Sequence, residues 1–89
     1  MWSESVNRYL VILLRKPHVE PAMVSAHRDF LAELRVQGRN EMNGPFGDGS
    51  GGAYLLRAND LDEAMAIVQR DPASVSGGWE ITIHEWQAS

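Results

Sequence analysis

The fold class this chain predicts is α+β, in the order β-α-β-β-α-β. Two observations carry the prediction. Apolar strand-like runs stand near both ends of the 89 residues and again in the middle, and two segments with helical spacing fall between them. A glycine-rich turn joins the two inner strands.

In order along the chain, residues 1–6 are expected to fray. "NRYLVILLRK" (7–16) reads as a strand whose apolar residues are consecutive, the pattern of a strand covered on both faces. "PHVEPAM" connects it to a helix opening at Pro21, a residue suited to a first helical turn, and stopping near Gly38. "RNEMNGPF" (39–46) is a weaker strand that runs into the turn "GDGSGG" (47–52). "AYLLRA" (53–58) is a buried-type strand. "NDLDEAMAIVQRD" (59–71) reads as the second helix, with Asp60 and Glu63 spaced as an acidic capping box. "GWEITIHEW" (78–86) alternates, Trp79, Ile81 and Ile83 on one face and Thr82, His84 and Trp86 on the other.

This is the ferredoxin-like arrangement, one domain with a four-stranded antiparallel sheet and two helices on one face. Two helices leave the second face bare. Yet Leu10, Ile12 and Leu14 on one side of the first strand match Tyr9, Val11 and Leu13 on the other. A second copy of the chain, packed sheet face to sheet face, is the expected cover, so the protein is expected to be a homodimer.

Composition narrows the functional classes. Without cysteine there is neither a disulfide nor a thiolate metal site. A net charge of −4 with scattered basic residues argues against binding nucleic acid. The longest apolar run, "YLVILL" (9–14), is far short of the roughly 20 residues of a membrane span. A cytoplasmic protein is expected. Three histidines without i,i+4 or His-x-His spacing make a poor metal site, and none is expected.

The chemistry-bearing residue is His27. At 100° per residue it falls at the centre of the apolar stripe of Met23, Phe30 and Leu34, facing the sheet rather than solvent. A core histidine bonded to a backbone carbonyl would satisfy this pattern; so would a proton-transferring imidazole with an acidic partner. Asp71 is the candidate partner. As the last residue of the second helix it would lie at the negative end of the helix dipole, where an acid is disfavoured. Placed beside the imidazole, it would fix the tautomer and favour the charged form. An Asx turn before Pro72 explains Asp71 equally well.

At these residues the chain resembles the YciI-like (YCII-related domain) family of dimeric α+β barrel proteins. The carriers are "AHRDFLAEL" (26–34), "GPFGDG" (44–49), "LDEAMAIVQRDP" (61–72) and "WEITIHEW" (79–86). "NGPFGDGSGGAYLL" is also similar to the family's "DGPF" variant, with Asn43 in place of the Asp and no "ETKE" continuation. The resemblance implies a cleft between helices and sheet and a His–Asp active site matching His27 and Asp71. It also implies that some relatives are lyases that remove chloride from hydroxylated rings.

"GPFGDGSGG" has five glycines in nine residues, but with no Gly-Lys-Ser/Thr and no following helix it reads as a hairpin rather than a phosphate loop. Gly44, Pro45 and Ser50 are the expected ligand-binding residues at the cleft mouth, while Asp48 is explained by the turn. His18 is expected in solvent, and His84 at the dimer interface or the cavity. Trp2, Trp79 and Trp86 are expected as packing anchors. The expected function is cofactor-free proton transfer by His27, oriented by Asp71, on a small cyclic or aromatic organic acid, with elimination or isomerisation as the outcome. The competing expectation is a non-catalytic dimeric module that binds a small ligand on the same scaffold.

Overall fold

The computed structural model describes residues 7–17 and 21–87; the expectations for residues 1–6, Trp2 and His18 lie outside them. The elements are β1 (Asn7–Arg15), α1 (Pro21–Val36), β2 (Asn40–Pro45), β3 (Gly51–Ala58), α2 (Leu61–Gln69), α3 (Pro72–Ser76) and β4 (Trp79–Glu85). The strands form one antiparallel sheet ordered β2-β3-β1-β4, so the two strands richest in apolar residues are central. The fold is ferredoxin-like, with three helices where the sequence predicts two.

Register decides what each face carries. Val11 stands opposite Tyr54 on β3 and Ile83 on β4, and Leu13 stands opposite Gly52 and Ile81. Tyr9, Val11, Leu13, Tyr54 and Leu56 pack against Met23, Leu31 and Leu34 of α1, Ala64, Ile67 and Val68 of α2, and Ala73 of α3. The opposite face carries Leu10, Ile12 and Leu14. Leu10 and Ile12 are half-buried and Leu14 is exposed, so within one chain β1 is covered on one face only.

The helix ends follow local chemistry. Gly38 adopts φ 78°, which lets its N–H and that of Arg39 turn back to the Arg35 and Leu34 carbonyls and close α1. Asp60 caps α2 by accepting from the Glu63 N–H at 2.8 Å, as the capping-box spacing predicts. Glu63 reaches back one residue further than that motif requires, accepting from the Asn59 N–H at 2.8 Å.

Two sequence boundaries move. β3 begins at Gly51, inside the segment read as turn. A Cβ at Gly51 would overlap the Leu13 carbonyl oxygen, and one at Gly52 would come within 2.7 Å of the Gly44 carbonyl oxygen. These glycines therefore serve close backbone approach inside the sheet. The second helix, read as running to Asp71, stops at Gln69 with Arg70 as its cap. Asp71 is extended (φ −66°, ψ 129°), the conformation that a following proline imposes, and Pro72 opens α3.

Candidate functional site

Asp71 is thus not an acid at the wrong end of a helix. It caps α3, its Oδ1 accepting from the Ala73 N–H at 2.9 Å, the Asx geometry that a short polar side chain before Pro favours. The same oxygen accepts from His27 Nδ1 at 2.8 Å. The turn reading and the partner reading of Asp71 describe one geometry. Asp71 is fully buried, while the His27 side chain keeps 15% of its exposure.

The inward stripe of α1 brings His27 to this point, and the break between α2 and α3 brings Asp71. A carboxylate only accepts, so Nδ1 carries the hydrogen of the shared bond. This leaves Nε2 as the nitrogen with a free lone pair in the neutral ring.

Two aromatic rings flank the imidazole. Trp79 lies 6.5 Å away, centroid to centroid, with its plane inclined 29°. Tyr54 lies at 6.2 Å and 54°. The Tyr54 hydroxyl is buried without a hydrogen-bond partner among the described residues. Burial pushes its phenol well above the usual tyrosine range, and the nearby Asp71 charge pushes it further, so the hydroxyl stays protonated beside the carboxylate.

His27 opens onto a cavity of about 180 Å³ between α1, the β2–β3 hairpin and the start of β4. That volume is close to the roughly 150 Å³ of a cavity that holds benzene. Gly44 and Pro45 form part of its wall with Asn43, Gly51 and Gly52. Asn43 ties this wall to α1, its Oδ1 accepting from Arg35 at 2.8 Å and from Asn40 at 2.9 Å. Ser50 does not line the cavity. Its N–H bonds Asp48 Oδ1 at 2.9 Å and its carbonyl accepts from the Arg15 N–H at 2.8 Å, so it is spent on the turn and on β1.

Arg15, Arg28 and Trp79 also line the cavity, and sequence reasoning assigned none of them to it. Trp79 carried a signal, since it shares a strand face with Ile81 and Ile83. Arg15 and Arg28 lie 13 residues apart on different elements, with no motif to join them. His84 stands on the opposite face of the sheet, exposed and 3.2 Å from the Thr82 hydroxyl, away from the cavity. Among the described residues no three His, Cys, Asp or Glu side chains gather as a metal site, and no helix is long and apolar enough to cross a membrane.

Over residues 7–87 the chain matches the YCII-related domain. It is 40% identical, over 79 residues, to the uncharacterized protein YjpA of Bacillus subtilis (strain 168), covering 89% of this chain and 93% of that protein. The structure is similar to that of 5-chloro-2-hydroxyhydroquinone dehydrochlorinase (TftG) from Burkholderia phenoliruptrix AC1100, solved in complex with 2,5-dihydroxybenzoquinone. The TM-score is 0.72 at 18% identity, over 92% of this chain and 95% of that one, a likeness of fold.

Proposed function

The chain belongs to the YCII-related domain family, and we propose that it is a cofactor-free lyase or isomerase acting on a small cyclic or aromatic organic acid. His27 moves the proton and Asp71 orients the imidazole. The observation that carries this reading is the 2.8 Å bond from His27 Nδ1 to a fully buried carboxylate, at the wall of a ring-sized cavity.

Nε2 takes a proton from a saturated ring carbon, as in a cyclic acid or in the keto tautomer of a hydroxylated ring, and Asp71 stabilises the imidazolium that forms. The electron pair of the broken C–H bond then forms a double bond as a leaving group departs with its own pair. Alternatively, the imidazolium returns the proton to another carbon, which is isomerisation. Gly44 and Pro45 supply wall rather than chemistry, and Ser50 takes no part. The fold likeness to a dehydrochlorinase holding a dihydroxybenzoquinone supports a six-membered ring as the substrate frame.

The test is incubation with hydroxylated aromatic acids in D2O, following ring C–H exchange and product by NMR. Native protein is expected to promote exchange or elimination on at least one acid, and His27→Gln to abolish it. Ligand binding with no turnover, unaltered by His27→Gln, would instead favour the non-catalytic module.

The same reading pairs two chains through the open sheet face. Its support is the patch of Leu10, Ile12 and Leu14, with Met42 and Trp86 exposed nearby. Ile12→Glu is expected to give monomers in analytical ultracentrifugation where the native chain gives dimers.

A further inference from the structure

The polar side chains that line the cavity are almost all donors. Arg15 and Arg28 contribute two guanidinium groups, and no aspartate or glutamate is part of the lining. Neither arginine side chain is ion-paired among the described residues, in a chain whose net charge is −4. The Arg15 guanidinium lies 5.5 Å over the Trp79 ring, a cation–π contact that holds it at the cavity wall.

The Trp79 Nε1–H, shielded from solvent, has no acceptor among the described residues, and Asn43 brings a further donor to the lining. Asn43 has its Oδ1 occupied by Arg35 and Asn40, which fixes the amide so that its NH2 is the group left unbonded. Among the lining side chains, the acceptor left available is Nε2 of His27.

From this arrangement we infer that the cavity selects an aromatic carboxylate, its anionic group bound by Arg15 and Arg28 and its ring seated in the cavity beside Trp79 and His27. The assignment rests on the reading of the cavity as the site of a cyclic or aromatic organic acid and adds to it the residues that bind the acid group. A carboxylate presents two acceptor oxygens to forked guanidinium donors, which a phenol or an amide cannot match. Arg15 and Arg28 are therefore specificity-determining residues. Holding the carboxylate at the arginines leaves the ring carbons facing the imidazole.

The experiment measures binding of benzoate, benzamide and phenol through the Trp79 indole N–H resonance. It uses the native chain, Arg15→Gln, Arg28→Gln and His27→Gln, with the fold of each checked by circular dichroism. Benzoate is expected to bind about tenfold or more tightly than either neutral ring, the scale of one charge-assisted hydrogen bond. Each arginine variant should weaken benzoate by about that factor and leave benzamide unchanged. Native affinity for benzoate should fall as salt rises. Equal affinity for the three probes, preference for phenol, or arginine variants that bind benzoate like the native chain would each overturn the assignment. So would equal competition by inorganic phosphate, which would mean that the ring contributes nothing. Benzoate binding retained in His27→Gln keeps the arginine assignment standing even if no proton transfer is ever observed, so the two ideas fail separately.

Discussion

On the helix-covered face of the sheet, Tyr9, Val11, Leu13, Tyr54 and Leu56 are 0–2% exposed. On the other face, Leu10 and Ile12 are half-buried and Leu14 is 40% exposed, although the same strand presents both sets. The polar groups divide in the same way. His27 and Asp71 meet on the covered side at 15% and 0% side-chain exposure. On the open side, Arg8 donates to Glu41 at 2.7 Å with side chains 42% and 25% exposed, and Arg57 approaches Glu41 at 3.7 Å. Ion pairs of that exposure are worth about 0–1 kcal/mol. A buried acid whose bonds hold two helices together is strongly destabilising to break. The comparison teaches that helix cover, rather than residue type, makes one face structurally costly to alter.

The largest expected difference between the faces is in the core. Leu56→Ala should destabilise by about 2–5 kcal/mol at any protein concentration. Leu14→Ala should cost under about 1 kcal/mol in the isolated chain, with any larger loss confined to concentrations at which chains associate and shrinking as the protein is diluted. Urea unfolding at two concentrations separates the two cases. A Leu14→Ala loss as large as that of Leu56→Ala and independent of concentration would break the comparison.

Next in size is the polar contrast. Asp71→Ala removes the cap of α3 and strands the His27 N–H, for an expected cost of about 2–3 kcal/mol. His84→Ala, which loses only an exposed contact to Thr82, should stay within about 0.5 kcal/mol of the native chain. Thermal unfolding of both variants reads the difference.

The alkaline limb sharpens the contrast further. Burial, followed by the Asp71 charge, raises the Tyr54 phenol above its unfolded value near 10. Below that pH both folded and unfolded chains hold the proton, and the group adds no pH dependence. Above it the unfolded chain releases the proton while the folded chain retains it, so stability falls as pH rises. Tyr54→Phe should remove up to about 1.4 kcal/mol per pH unit of that fall, measured as unfolding free energy between pH 10 and 12.

The smallest effect is expected at the α2 cap. The Asn59 N–H, then Arg39, hold the Glu63 carboxyl below the usual glutamate range. Its contribution is present above the unfolded pKa and is lost as pH falls through the lower folded value. Glu63→Gln should cost at most about 0.5 kcal/mol near neutrality and less in acid, as read from the same unfolding curves.

Local chemistry was legible in the sequence wherever it was decided within one turn or one strand. The capping pair Asp60 and Glu63, the helix start at Pro21 and stop near Gly38, the alternation of β4 and the inward place of His27 all follow from spacings of two to four residues. The end of the second helix was not legible in the same way. A continuous helix to Asp71 and a break after Gln69 share the same apolar periodicity; Pro72 holds Asp71 out of the helical region, and the extended Asp71 then accepts from both Ala73 and His27.

Only the tertiary structure decided that "GSGG" contributes its last two glycines to a strand. The backbones of Leu13 and Gly44 approach too closely for a side chain there. It also decided which groups share the cavity. The order β2-β3-β1-β4 sets β2 and β4 at opposite edges of the sheet, and α1 crosses between them. Arg15, Arg28, Asn43 and Trp79 come from four separate elements to line the space beside His27. By itself the sequence determined the four strands and the two longer helices and which way each one faces, because those depend on neighbours along the chain. The donors that surround His27 were assembled by strand pairing and helix packing, which no local spacing encodes.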